Sequence, residues 1–273
     1  MKLLADADGW WAMAGKQTFF LDGFDLDRWL GQPDPVGRLG QMMHPERQRP
    51  RGDGPVALPL GSQEVWGAGV TYQRSRLARM AESQRSASLY DRVYEAPRPE
   101  LFFKATPRRC VGPGGVLRLR SDSKWIVPEP ELALVVAADG AIAGFTLGND
   151  LSCRDIEGEN ALYLPQAKIW DGCCALGPAI LVNDGTFDVL AGTISLRIER
   201  DGQIIFEDST PLSRMRRPLE ELVGYLFRDQ SFPAGVVLLT GTGIVPPDEL
   251  SLRRGDRVAI GVAEIGELVN DVV

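Results

Sequence analysis

Residues 129–150 read EPELALVVAADGAIAGFTLGND, and this stretch decides the fold of the chain. The apolar and partly β-branched run Leu132–Val136 predicts a β-strand. The pair Asp139-Gly140 lies between two apolar runs, which is a strong signal for a hairpin turn. The chain then returns over Ala141–Leu147. It therefore delivers Asn149-Asp150 beside the start of the first strand.

Three carboxylates converge at that place. Glu129 and Glu131 are two positions apart, so on a strand both side chains point to the same face. With Asp150 beside them, the three groups would repel one another strongly unless a cation lay between them. Oxygen ligands suit a hard cation, so we expect Mg²⁺ first, with Mn²⁺ or Ca²⁺ behind it.

Pro130 separates the two glutamates and cannot donate a hydrogen bond to a neighbouring strand. Its presence predicts that this strand lies at a sheet edge or contains a bulge, and bulges are common beside active sites. A single Glu-x-Glu pair is more often a solvated surface feature. The interpretation as a metal site therefore depends on the neighbouring residues.

The composition limits the classes of function. The chain has 273 residues, enough for one or two domains, and 44% hydrophobic and 25% charged residues, as in globular proteins. The net charge of -7 argues against a nucleic-acid or anionic-membrane partner, because both need a basic face. Since no apolar run is long enough to span a membrane and Met1–Gly9 has no signal pattern, we expect a cytoplasmic protein.

Cysteine and histidine do not suggest a zinc site. None of the cysteines forms a Cys-x-x-Cys pair, so we interpret all as buried free thiols in a reducing compartment. The only histidine, His44, lies in the polar stretch Gln41–Gly54 and is expected at the surface rather than in catalysis. The four cysteines are Cys110, Cys153, Cys173 and Cys174.

The sequence predicts a small N-terminal unit with a linker at residues 1–59, followed by a main domain at 60–273. In the first unit we expect a hairpin around Gly15-Lys16, a short helix at Phe24–Leu30 and irregular chain over Gln32–Pro59. In the main domain strands predominate, which predicts a mostly-β, sheet-packed α+β domain. Further strands are expected at Glu64–Val70, Leu101–Phe103, Ala175–Val182, Gly192–Glu199, Gln203–Glu207, Val236–Thr240 and Arg257–Val262, and helices at Tyr72–Gln84 and Pro218–Phe227.

Several separate motifs in residues 60–273 resemble the fumarylacetoacetate hydrolase family. The resemblance implies the mixed β-sandwich roll of that family, a homodimer or higher homo-oligomer, and a 2-oxo acid substrate. It also implies that Glu129, Glu131 and Asp150 bind Mg²⁺ or a related divalent ion and that Lys168 is the active-site lysine. The motifs are Glu129–Leu132, Gly148–Asp155, Lys168, Leu176–Pro178, Thr240–Gly243 and Ile265–Asn270.

Within the family, C–C bond hydrolases commonly carry a histidine where this chain has Ser75, which counts against hydrolysis. Segments Arg98–Lys104, Ser123–Trp125 and Gly158–Lys168 instead resemble the 2-dehydro-3-deoxy-D-arabinonate dehydratase branch. By that resemblance Glu100 is a candidate acid or base, although it could also simply pair with Lys104 or a nearby arginine.

Other positions keep two interpretations. Glu157 stands where other family members have glutamine, and its role is open. Arg154 either contacts substrate or braces Asp150 or Asp155. The segment Thr240–Gly243 is either a tight turn or a site for the substrate carboxylate, built from backbone N–H groups such as that of Gly241 and the Thr242 hydroxyl.

Three functions follow as hypotheses. The first is a Mg²⁺-dependent hydro-lyase acting on a 2-keto-3-deoxy sugar acid, in which the metal stabilises an enolate. Lys168 and Glu100 would share the roles of base at C3 and acid at the C4 hydroxyl, in an order left open. The second is an acylpyruvate hydrolase or oxaloacetate decarboxylase on the same site. The third is a degenerate protein that only binds a ligand.

Overall fold

A computed structural model describes residues 1–74 and 92–273, and β-strands predominate in them, as predicted. The strands are β1 (Lys2–Asp6), β2 (Gly9–Ala14), β3 (Gln17–Phe20), β4 (Val65–Gly69), β5 (Glu100–Ala105), β6 (Cys110–Val111), β7 (Val116–Leu117), β8 (Ile126–Val127), β9 (Pro130–Val136), β10 (Ile142–Asp150), β11 (Ser152–Cys153), β12 (Cys174–Val182), β13 (Thr193–Arg200), β14 (Gln203–Pro211), β15 (Val236–Thr242), β16 (Arg257–Val262) and β17 (Gly266–Val272).

The helices are short and lie between the strands. The α-helices are α1 (Leu26–Leu30), α2 (Pro35–Met42), α3 (Arg154–Glu159), α4 (Leu164–Lys168) and α5 (Leu219–Leu226). Single 3₁₀ turns occur at Pro45–Arg47, Pro107–Arg109, Ala161–Tyr163, Val189–Ala191 and Leu212–Arg214. None of the helices in the described part of the chain is long and apolar enough to cross a membrane.

The predicted hairpin is confirmed as β9 and β10, which lie in the middle of the largest sheet. Ile142 pairs with Val136 and Gly148 with Glu131, so the return strand ends beside the start of β9. The strand order of this sheet is β3-β2-β1-β12-β10-β9-β15-β4-β5, with β6 added beside β12.

The prediction of an edge strand at Pro130 is wrong, because β9 hydrogen-bonds with β10 on one side and β15 on the other. Proline is tolerated here because it is the first residue of the strand. An irregularity does occur nearby, but in β15. Its register against β9 shifts between Leu239 and Thr242, opposite Glu131.

The large sheet is covered on both faces, which explains why Leu132–Val136 is apolar at every position. Leu132, Leu134 and Val136 pack into the main core, which also contains Leu196 and Ile260 of the second sheet. That sheet has the order β14-β13-β16-β17-β7, and a two-stranded ribbon joins β11 to β8. The alternate residues of β9 face the other side of the large sheet, in two further core clusters.

The N-terminal strands continue the large sheet, since β1 pairs with β12 through Leu3 and Ile180. The predicted hairpin around Gly15-Lys16 is present as β2 and β3. The expectation of irregular chain over 32–59 is wrong in part, because α2 forms there. Asp34 caps this helix by accepting from the Gly37 N–H, and Leu39 is fully buried.

The other predicted elements of the main domain are found with small shifts at their ends, apart from three differences. Leu101–Phe103 belongs to β5, an edge strand, and is half-buried rather than buried. The predicted helix Tyr72–Gln84 lies mostly outside the described residues, as does Ser75. The sequence did not predict strand β17, the short strands β6, β7, β8 and β11, or the helices α3 and α4.

Candidate metal centre and active site

The three predicted carboxylates converge where the β9–β10 hairpin closes. Glu129 immediately precedes β9, Glu131 is its second residue, and Asp150 ends β10. The Asp150 N–H donates to the Glu129 carbonyl at 3.0 Å, which fixes the two chain segments together. Each of the three residues offers a carboxylate oxygen, and these oxygens all lie within 4.8 Å of one another.

The local electrostatics favour a cation at this cluster. All three residues are buried, with Asp150 at 0% exposure. Burial, and then the negative charges of Asp150 and Glu129, raise the pKa of Glu131 well above its usual value. A divalent cation would remove this repulsion, and a donor set made only of oxygens suits Mg²⁺. The residues present therefore fit the metal that the sequence predicted.

Lys168, the last residue of α4, places its ammonium group directly against the cluster. Its Nζ lies 2.5 Å from Glu129 Oε2 and 2.8 Å from Asp150 Oδ2. It also donates to the Ser152 hydroxyl at 2.5 Å. The ring of Phe102 lies 5.4 Å from the same nitrogen. The structure thus brings Lys168 together with the three carboxylates, and its role as the active-site lysine stays a prediction.

Lys104 is a second buried cation at the site, and sequence analysis gave it no role of its own. Its Nζ lies 2.6 Å from Asp150 Oδ1 and donates to the carbonyls of Leu151 and Lys168. Burial lowers the pKa of Lys104, but the charge of Asp150 and smaller contributions from Cys173 and Cys174 together outweigh it, so the net shift is upward. A lysine within the apolar strand β5 was the sequence signal for this role.

Glu100 begins β5 and lines the same pocket as Lys168, Gly241 and Thr242 together with the three carboxylates. This pocket has a volume of about 20 Å³, room for one water-sized group. The alternative pairing of Glu100 with Lys104 is not formed, since Lys104 bonds elsewhere. Gly69 pairs with Glu100, and a side chain at Gly69 would overlap the Glu100 carboxylate.

Arg154 is buried beside the cluster, and the prediction that it braces Asp150 or Asp155 stays a prediction. Its Nη2 donates to Glu129 Oε1 at 2.6 Å, and its Nη1 lies 3.4 Å from Glu157 Oε2. Asp155 instead accepts hydrogen bonds from the Ser123 hydroxyl and the Lys124 N–H. A substrate contact by Arg154 remains a prediction.

The bulge in β15 brings Gly241 and Thr242 to the pocket. Gly241 has φ of +88°, a conformation that glycine adopts readily, and its N–H donates to Glu131 Oε2 at 2.5 Å. The Thr242 hydroxyl hydrogen-bonds the carbonyl and N–H of Ile244. Binding of a substrate carboxylate by these two residues stays a prediction.

The cysteines are buried and the histidine is exposed, as the sequence predicted. All four cysteines are buried and free, as predicted. Burial raises the pKa of the Cys153 thiol to about 11, which makes its thiolate scarce near neutral pH. His44 is exposed at the surface.

Comparison with known proteins gives a consistent result. Residues 64–273 match the family model described as fumarylacetoacetate (FAA) hydrolase C-terminal. The chain is 45% identical over 220 residues to 2-dehydro-3-deoxy-D-arabinonate dehydratase of Saccharolobus solfataricus, covering 80% of this chain and 74% of that protein. It is 48% identical over 217 residues to a probable 2-keto-3-deoxyxylonate dehydratase of Haloferax volcanii, with the same two coverages.

A solved structure is similar over its whole length. It is 2-keto-3-deoxy-D-arabinonate dehydratase complexed with magnesium and 2,5-dioxopentanoate, with 37% sequence identity and a TM-score of 0.82. The similarity covers 100% of this chain and 98% of that one.

Replacing Lys104 by methionine should destabilise the protein by about 3 kcal/mol, because it leaves Asp150 with one buried cation fewer. Urea unfolding in the presence of EDTA measures this effect. Lys124→Met is the matched control, since Lys124 is exposed, and it should change stability by less than about 0.5 kcal/mol. A loss below about 1 kcal/mol in Lys104→Met would show that the pair contributes little.

Mg²⁺ binding should release protons and weaken as the pH falls. The pKa of Glu131 is raised, so its carboxyl holds a proton to a higher pH than an exposed glutamate does, and the cation must displace it. Calorimetry in two buffers of different ionisation enthalpy detects the released protons.

Glu131→Gln should abolish Mg²⁺ binding, whereas the exposed Glu207→Gln should bind as the wild type does. Unchanged affinity in Glu131→Gln would contradict the assignment of the three ligands.

Proposed function

The chain belongs to the fumarylacetoacetate hydrolase family, and from this we propose that it is a divalent-metal-dependent dehydratase of a 2-keto-3-deoxy sugar acid of the 2-dehydro-3-deoxy-D-arabinonate type. The observation that carries the proposal is a buried pocket in which three carboxylates face two groups able to move protons, Lys168 and Glu100. The two dehydratase relatives and the dehydratase structure support this substrate class.

Glu129, Glu131 and Asp150 are proposed to hold Mg²⁺. When bound there, the ion supplies a Lewis acid for the 2-oxo group and makes the neighbouring C3 proton more acidic. A magnesium ion is also present in the structure of the related dehydratase. Lys104 contacts Asp150 Oδ1 and Arg154 donates to Glu129 Oε1, so these two carboxylates are oriented before an ion binds.

The chain's own groups then carry the protons. We assign Lys168 to C3, because its nitrogen lies against the metal ligands where the 2-oxo end of the substrate would be held. In its neutral form it takes the C3 proton, and the electron pair of the C–H bond forms the enolate. Glu100, on the other wall of the pocket, gives a proton to the C4 hydroxyl as the C4–O bond breaks.

Water then leaves, and a C3=C4 unsaturated 2-oxo acid with a C5 hydroxyl remains. A proton moves from C5 to C3, and the resulting enol becomes an aldehyde by gaining a proton at C4 and losing the proton of its C5 hydroxyl. The product of this sequence is a 2,5-dioxo acid. The molecule bound in the related structure, 2,5-dioxopentanoate, has this chemistry.

Gly241 and Thr242 are proposed to face the substrate carboxylate, and Arg154 to act through Glu129. Residues 60–273 form the catalytic domain in this proposal, and residues 1–59 a smaller unit attached to it. The family resemblance supports a homodimer or higher homo-oligomer, which sedimentation velocity measures directly.

Turnover of a substrate panel tests the function. Purified protein with Mg²⁺ should turn over at least one 2-keto-3-deoxy sugar acid faster than any acylpyruvate or oxaloacetate. Release of the 2,5-dioxo acid can be followed by coupling to an aldehyde dehydrogenase. Faster acylpyruvate cleavage would favour the hydrolase, and no turnover of any compound together with tight binding would favour the ligand-binding protein.

Lys168→Met should keep Mg²⁺ binding, because lysine is not a ligand, while kcat falls by at least roughly a hundredfold. Lys168→Arg should not restore turnover, since a guanidinium group remains protonated. Steady-state kinetics and calorimetry on the same preparations measure both quantities. Near-normal turnover in Lys168→Met would make the lysine structural and leave Glu100 as the candidate base.

A further inference from the structure

Glu157 is a buried carboxylate that the proposed reaction does not use, yet it lies beside two groups of the site. Its Oε2 is 3.4 Å from Arg154 Nη1, and its Oε1 is 3.6 Å from Lys168 Nζ. The residue is 2% exposed. A carboxylate is rarely buried to this extent unless its charge is compensated, and here two cations compensate it.

These contacts close a ring of alternating charge. Glu129 Oε1 accepts from Arg154 and Glu129 Oε2 from Lys168, so the two cations hold opposite oxygens of the same ligand. Glu157 meets the same two cations from the other side. Each cation of the ring therefore lies between two carboxylates.

Helix α3 builds one half of this ring. Arg154 and Glu157 are three residues apart, so one face of the helix presents both side chains to the site. Glu159, on the same helix, is exposed. Helix α3 therefore fixes the position of the Glu157 carboxylate relative to Glu129.

An ammonium group has three protons to donate. Three acceptors lie within 2.8 Å of Lys168 Nζ: Glu129, Asp150 and the Ser152 hydroxyl. Two of those acceptors are proposed metal ligands, whose oxygens would turn to a cation. Glu157 is a neighbouring anion outside the ligand set, and it attracts the ammonium without competing for the metal.

We propose that Glu157 is a positioning residue that holds the Lys168 side chain, and with it Arg154, in place while Glu129 and Asp150 serve the metal. This inference rests on the proposed function, in which Lys168 moves the C3 proton. It adds a residue whose contribution acts through the lysine rather than through contact with the substrate.

Glu157→Gln tests the proposal by conserving shape. The amide offers one acceptor and one NH₂ group, so one of the two cations must face a donor. We expect kcat to fall at least tenfold, while KM changes by less than threefold. The matched control is Glu159→Gln, which makes the same change on the exposed part of the helix and should leave both constants unchanged. A kcat within twofold of the wild type, or a raised KM with unchanged kcat, would overturn the proposal.

A double-mutant cycle shows whether Glu157 acts through Lys168. In a Lys168→Met background, Glu157→Gln should lower the residual kcat by less than twofold, because the group to be positioned is gone. A further tenfold loss in that background would overturn a positioning role.

A measurement without substrate separates this inference from the proposed function. The chain has only five lysines, so the ¹⁵N signals of its ammonium groups can be resolved in lysine-labelled protein. Lys168→Met assigns the signal of Lys168. In Glu157→Gln with Mg²⁺ this signal should shift or broaden, whereas in Glu159→Gln it should not. An unchanged signal would overturn the ring, and a wild type without dehydratase activity would overturn only the function.

If Glu157→Gln does not fold, Glu157→Asp keeps the charge but withdraws it by one methylene. Its kcat should fall at least threefold, with KM unchanged, and its Lys168 signal should shift. A wild-type kcat in Glu157→Asp with an unmoved Lys168 signal would equally overturn the proposal.

Discussion

Charge neutralisation at the end of the β9–β10 hairpin is the constraint on which the rest of the site depends. Four carboxylates are buried there, and three side-chain cations pack against them. Burial, and then repulsion from Asp150 and Glu129, raise the pKa of Glu131. The three cations are Lys104, Arg154 and Lys168.

The sheet gives this cluster its rigidity. Because β9 is hydrogen-bonded on both sides, the backbone of Glu131 cannot move without disturbing two neighbouring strands. The shift in β15 turns the Gly241 N–H towards Glu131, where a regular strand would direct its hydrogen bonds to a backbone partner. Two of the proposed metal ligands thus lie in central strands, while the groups proposed to transfer protons come from an edge strand and a short helix.

Much of this arrangement could be predicted from local patterns. The hairpin follows from Asp139-Gly140 and its apolar flanks, and the convergence of the three carboxylates follows from the two-residue period of a strand. The prediction of an edge strand at Pro130 failed because proline lacks only the backbone N–H. The first residue of a central strand can do without that hydrogen-bond donor. Lys104 received no role because its carboxylate partner lies far away in sequence, and the role of Glu157 stayed open because only the folded chain shows which cations it meets. Lys104 and Asp150 are 46 positions apart, and only the packing of β5 against the hairpin brings them together.

The distribution of the site over the sheet also links metal binding to folding. Its residues come from β5, β9, β10, α3, α4 and β15, so the complete cluster exists only when strands far apart in sequence have paired. An unfolded or half-folded chain has no equivalent cluster, and the ion therefore binds the native state preferentially. By mass action a free ion at a hundred times its Kd would add about 2.7 kcal/mol to the free energy of unfolding. The supply of the ion would then set the lifetime of the protein as well as its activity.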